Sequence, residues 1–158
     1  MTQSAAPSAV DLAEELTDDV MRQFLGYGLK RAYLVVHRAA SKALQEFGLT
    51  VRSFTVLSLI ADNRGMSLTR LSELLLIERP NLVLILDELE TRELLQRTRD
   101  TKDRRRYLLR PTLSGLRLLE EATTAAAEED ERLGRPLSRE EFKLLMSLLR
   151  RIEEGAIG

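Results

Sequence analysis

The chain has 158 residues, 44% of them hydrophobic and 31% charged, the balance of an ordinary globular protein large enough to bury one real core. It contains no Cys and one His, which excludes disulfides, thiolate metal sites and thiol redox switches and argues against His-built metal or catalytic centres. The net charge of −1 conceals a sharp division, because seven basic residues (Arg97, Arg99, Lys102, Arg104, Arg105, Arg106, Arg110) face only Asp100 and Asp103 within one short segment, whereas residues 120–131 carry six acids and no Lys or Arg.

Residues 1–9 show no periodicity and read as a loose arm, so residues 1–10 are assigned to a flexible N-terminal segment. No apolar run approaches a membrane span, and residues 1–20 lack a cationic stretch followed by an apolar one. A cytoplasmic protein without a membrane partner is expected.

From about residue 11 to residue 47 helical spacing dominates, with Phe24, Tyr27, Arg31, Leu34 and Arg38 stepping by three or four. The more apolar stripe of this segment is Leu25, Leu29, Ala32, Val36, Ala39, Ala43 and Phe47. Gly26 and Gly28 weaken the helix locally, and Gly48 ends it. Thr50 is placed to cap a second helix reaching residue 62, whose apolar face is Phe54, Leu57 and Ala61 with Val56 and Ile60 beside it. After a turn at residues 63–65, Ser67 caps a short helix carrying Leu68, Leu71, Leu74 and Leu75. A break at Leu76 and Ile77 follows, and Pro80 then falls in the first turn of a helix where its missing N–H costs nothing. That helix runs to about residue 92 and buries Leu82, Ile85, Leu86 and Leu89. Two helices joined by so short a turn form a helix-turn-helix.

The period then changes from helical to strand-like. Residues 94–99 and 106–112 suit two strands bridged by a polar, basic turn, and read as a β-hairpin, or wing. Pro111 ends the hairpin and Thr112 caps a helix to about residue 132. Gly134, Arg135 and Pro136 break the chain again. Ser138 and Glu141 form a capping box for a last helix striped with Phe142, Leu145, Leu148, Leu149 and Ile152. The first and last helices have apolar stripes that must be covered, either by packing on each other or by interlocking with a second copy. The two-fold dimer is favoured, because a palindromic site is read by two recognition helices at fixed spacing. The expected fold is mainly α with a small β-hairpin wing. A winged helix-turn-helix unit (48–112) is flanked by a dimerisation helix (11–47) and by a long helix plus a C-terminal dimerisation helix (113–158).

A helix-turn-helix offers its second helix to the major groove, start first. Here Arg79, Pro80 and Asn81 stand at that start, Arg79 suited to guanine or phosphate and Asn81 to adenine. Val83 and Leu84 can meet thymine methyl groups or serve as packing residues. Between the strands, Asp103, Arg104, Arg105 and Arg106 place arginines at a hairpin turn, where they can enter a narrow minor groove while Asp103 orients a guanidinium. Standing alone such a run is as easily a solvated loop; directly after a helix-turn-helix the DNA reading is preferred. Ser67, Thr69, Arg97, Arg99 and Lys102 complete the candidate DNA contacts.

At this point the chain resembles the MarR (multiple antibiotic resistance regulator) family of winged-helix transcription factors. The resemblance rests on Leu71-Ser72-Glu73-Leu74, Ile77-Glu78-Arg79-Pro80-Asn81-Leu82-Val83, Leu86-Asp87-Glu88-Leu89-Glu90, Asp103-Arg104-Arg105 and Leu113-Ser114-Gly115. Upstream, Phe24-Leu25-Gly26-Tyr27, Leu29-Lys30-Arg31-Ala32 and Phe47-Gly48-Leu49 are also similar, so it covers most of the chain after residue 20. It implies a homodimer on double-stranded DNA whose wing arginine two places after the Asp, Arg105, enters the minor groove, with Arg104 nearer the backbone. It also implies release by a small, often aromatic ligand bound between the dimerisation helices and the winged unit. Three residues depart from the pattern: Leu84 replaces a frequent Arg or polar residue, Glu93 a frequent Gly, and Leu76 a small residue in the turn.

Without Cys the chain is unlike the peroxide-sensing branch, and with one His it is a poor match to zinc-sensing relatives, which leaves a small organic effector such as an aromatic acid or thioester. Tyr27, Arg31, Tyr33 and His37 on the first long helix and Phe54 on the second offer aromatic walls and a cation, although aromatics at this spacing also serve as core. No nucleophile–base pair, metal cluster or phosphate loop appears, and no cofactor is expected. The competing reading is a protein-interaction module whose basic hairpin docks on an acidic partner.

Overall fold

A computed structural model describes residues 17–63, 65–99 and 107–155. The chain divides between Val35 and Val36 into two units, and the first helix crosses that division.

In the first unit a 3-10 turn at Met21–Gln23 precedes α1, Leu25–Gln45, and Phe24 between them is extended (φ −95°, ψ 127°). The long helix expected from about residue 11 therefore starts only at Leu25; residues 11–16 lie outside the described residues. The cause is local competition for Asp18. Its carboxylate accepts from the Tyr27 hydroxyl at 2.6 Å and from Arg22 Nε at 2.6 Å, which stabilises a turn in place of a continuous helix. The Tyr27 bond first, and then Arg22, hold Asp18 below the usual carboxylate range, and the same bond to Asp18 pushes the Tyr27 phenol up.

The second unit holds the core, which the described residues build from the C-terminal part of α1 to α5. The helices are α2 (Val51–Asp62), α3 (Leu68–Leu75), α4 (Arg79–Thr91), α5 (Leu113–Gly134) and α6 (Arg139–Gly155). Strands β1 (Leu95–Arg99) and β2 (Tyr107–Pro111) pair antiparallel between α4 and α5, with Leu95 opposite Pro111 and Arg99 opposite Tyr107. Helix α2 packs on α4, α5 and β2, and α3 packs on α4. Leu44, Val56, Leu57, Ile60, Leu71, Leu82, Leu86, Leu89 and Leu95 are buried between them. The Leu109 N–H donates to the Met66 carbonyl at 3.1 Å, so β2 also gains a main-chain bond from the segment entering α3.

The caps fall where the sequence places them. Thr50 Oγ1 accepts from Ser53 N at 3.0 Å, Ser67 Oγ from Arg70 N at 3.3 Å, and Thr112 Oγ1 from Gly115 N at 2.9 Å. Ser138 N donates to Glu141 Oε2 at 2.7 Å, closing the capping box before α6, and that bond holds the Glu141 carboxyl below its ordinary range. The helix faces differ in part from the reading above. The buried face of α2 is Ser53, Val56, Leu57 and Ile60, with Phe54 and Ala61 only half-buried, because three neighbours (α4, α5 and β2) pull the opposite edge of the stripe inward. Ile85 is half-buried, Leu74 points to solvent, and Leu44 takes the buried place at the end of α1 rather than Ala43 or Phe47.

Three helix ends share one device. After α1, α3 and α4 a left-handed residue lets the next N–H reach back five positions: Leu49 to Leu44, Ile77 to Ser72, and Leu94 to Leu89. The left-handed residues are Gly48 (φ 62°), Leu76 (φ 52°) and Glu93 (φ 56°). Only the first has no Cβ to strain, and Leu76 is in addition 92% exposed. Glu93→Gly and Leu76→Gly are each expected to raise unfolding stability by up to about 1 kcal/mol, the strain relieved outweighing the added freedom of the unfolded chain. Urea-midpoint measurements check this; a lowered midpoint in both variants would contradict the strain argument.

Candidate nucleic-acid interface

The interface is built on the start of α4. Glu78 enters the helix without a side-chain cap bond, unlike the residues that open α2, α3 and α5. Pro80 has no N–H to lose, so the free main-chain donors of this first turn belong to Arg79 and Asn81, and helix ends of this kind favour an anion. Arg79, Pro80 and Asn81 are all exposed. Leu84, one turn on, is 68% exposed, so of its two sequence readings the packing role does not hold. Val83 is half-buried. The opposite face, Leu82, Leu86 and Leu89, is fixed in the core, which orients the exposed face.

Other candidates occupy different positions. Ser67 is half-buried and caps α3, and Thr69 is exposed in that helix's first turn. Both border an open cleft of about 690 Å³ between α3, α4 and the hairpin. Arg99 and Arg110 are exposed on the hairpin. Arg97 is half-buried and its guanidinium is occupied: Nη2 pairs with Asp87, and Nε lies 3.3 Å from Glu90 Oε2. Lys102, Asp103, Arg104, Arg105 and Arg106 lie outside the described residues.

The candidate ligand residues are spread over the two units. In the first, Tyr27 is held by Asp18, Arg31 is exposed, and Lys30 Nζ sits 5.9 Å from the centre of the Tyr33 ring. In the second, His37 Nδ1 lies 3.4 Å from Ser41 Oγ, and Phe54 packs half-buried against the core.

Sequence reading missed Arg92. It stands just after α4, and its Nη1 donates to the Gly48 carbonyl at 2.5 Å while Nη2 donates to Phe47 at 2.8 Å. These bonds satisfy two carbonyls of the turn that follows α1 and tie the far end of α4 to the α1–α2 corner. Nothing in the local sequence signals a partner 44 positions away.

The sequence profile of the MarR family matches residues 49–107, from just before α2 to the start of β2. A protein of Thauera aromatica assigned to regulation of the hcr operon is 31% identical over 147 residues, covering 92% of this chain and 88% of that one. The structure of the transcriptional repressor CouR bound to a 23-mer DNA duplex superposes with a TM-score of 0.83 at 37% identity, over 89% of this chain and 99% of CouR. CouR bound to p-coumaroyl-CoA superposes with a TM-score of 0.79 at 35% identity, over 88% and 98% of the two chains.

Proposed function

This chain belongs to the MarR family of DNA-binding transcriptional regulators, and on that footing we propose that it is a homodimeric repressor of a palindromic operator, released by a small aromatic acid or its thioester. The observation that carries the reading is the exposed, uncapped start of α4, on a helix whose second half is tied through Asp87 and Glu90 to the first strand of the hairpin. Arg79 and Asn81 read base edges or phosphate in the major groove, and Leu84 adds apolar contact to a thymine methyl. Arg105 enters the minor groove, steadied by Asp103, while Lys102, Arg104, Arg106 and Arg99 meet backbone. Support for repression and for a thioester comes from CouR, described as a repressor and bound in one structure to p-coumaroyl-CoA. Tyr27, Arg31, Tyr33, His37 and Phe54 are the residues proposed to receive that ligand. Helices α1 and α6, with their exposed apolar side chains, form the dimer.

The test uses a duplex enriched by the protein from a random library. Arg105→Ala is expected to weaken binding about 10- to 100-fold by anisotropy, with dimerisation and melting temperature unchanged. Titrating p-coumaroyl-CoA or the free acid into the wild-type complex then reads release. Unchanged affinity removes the wing from the mechanism, and enrichment of no palindrome turns the case toward a protein-interaction module.

A further inference from the structure

The helix assigned to the major groove is acidic along its second half. Asp87, Glu88 and Glu90 follow one another there, Asp87 and Glu88 exposed and Glu90 half-buried, on a surface that must approach phosphates of the same sign. Each of the three has a guanidinium partner. Arg92 Nη1 lies 3.9 Å from Glu88, and Arg97 takes both Asp87 and Glu90. The direction of Arg97 is set by the strand: its partner across the hairpin is Leu109, a buried core residue, and cross-strand partners share a face. Arg97 thus projects from the inner side of β1 towards α4.

We propose that Arg97 is a positioning residue that ties the first wing strand to the recognition helix and cancels that helix's acidic turn, without touching DNA itself. The inference rests on the DNA-binding reading above and gives one of its cations a different task. A loose, partly solvated ion pair contributes little to folding, so Arg97 matters through the charge and angle it imposes on α4 and the hairpin.

The experiment is a double-mutant cycle on the same enriched duplex. Arg97→Ala alone is expected to cost about 10-fold or more in affinity while the melting temperature moves by less than about 4 °C. In the Asp87→Asn/Glu90→Gln background the same substitution is expected to cost less than about threefold, because the charges it manages are gone. An equal loss in both backgrounds means that Arg97 contacts DNA directly and overturns the proposal. A melting temperature that falls by much more than 4 °C assigns Arg97 to stability and also overturns it. If the wild-type protein enriches no duplex, it is the DNA-binding reading itself that fails, which separates the two failures.

Discussion

Gly115→Ala is expected to destabilise the protein by about 3 kcal/mol or more, lowering Tm by roughly 6–12 °C, although alanine is the better helix former by about 1 kcal/mol. Gly115 is buried in the first turn of α5, where a Cβ would stand 2.0 Å from the Leu94 carbonyl oxygen and 2.9 Å from its carbon. These are backbone atoms and cannot rotate away. The same corner is bound three times over: Thr112 N donates to the Leu94 carbonyl at 3.1 Å, Thr112 Oγ1 donates to the Glu93 carbonyl at 2.6 Å, and Gly115 N donates back to Thr112 Oγ1. Making room for a methyl group therefore pushes α5 off the turn that launches β1, and the wing moves with it. Operator affinity should fall even at temperatures where the variant stays folded. A thermal melt within about 2 °C of wild type would show that the corner yields without cost.

The second large effect is expected at α6. Leu145→Glu/Leu148→Glu should convert the proposed dimer to a monomer by sedimentation and reduce operator affinity at least about 100-fold, because each half-site would then bind without the effective concentration supplied by its partner. In one chain Phe142, Leu145, Leu148 and Ile152 are each exposed by 40% or more, one turn apart along a single stripe. In α1, Leu25, Leu29, Tyr33 and Val36 are likewise exposed, three or four residues apart. Isolated exposed leucines need no explanation, whereas continuous stripes on two helices mark a surface that is covered in use. Charges on the α6 stripe would have to be desolvated in a dimer and stay hydrated in a monomer, so the substitution acts on assembly while sparing the core around α2 and α4. A double variant that remains dimeric at micromolar concentration would place the interface elsewhere.

These two cases differ in how far they could be read ahead of the structure. The α6 stripe is visible in the spacing of Phe142, Leu145, Leu148 and Ile152, since a period of three to four needs only a helix to acquire meaning. The clash at Gly115 is invisible in the same letters: glycine three residues past a threonine cap says nothing about a carbonyl twenty-one positions upstream. Likewise the caps at Thr50, Ser67, Thr112 and Ser138 were all readable, because donor and acceptor sit within three residues. Pro80 in the first turn of α4 was readable too, and the family resemblance singled out Leu76 and Glu93 as departures, which the structure places at left-handed positions.

Interactions that close over short stretches of chain are therefore settled by the order of residues alone: where α2 to α6 begin, where the hairpin lies, and which three residues open α4. Contacts that join distant segments depend on how the elements stack. Packing decided that α2 turns Ser53, Val56, Leu57 and Ile60 inward, that Arg92 reaches the α1–α2 corner, and that Arg97 faces Asp87 and Glu90 across the wing. A helix can rotate about its axis, and a long arginine can swing to any neighbour, at small local cost, so only the surrounding core selects one arrangement.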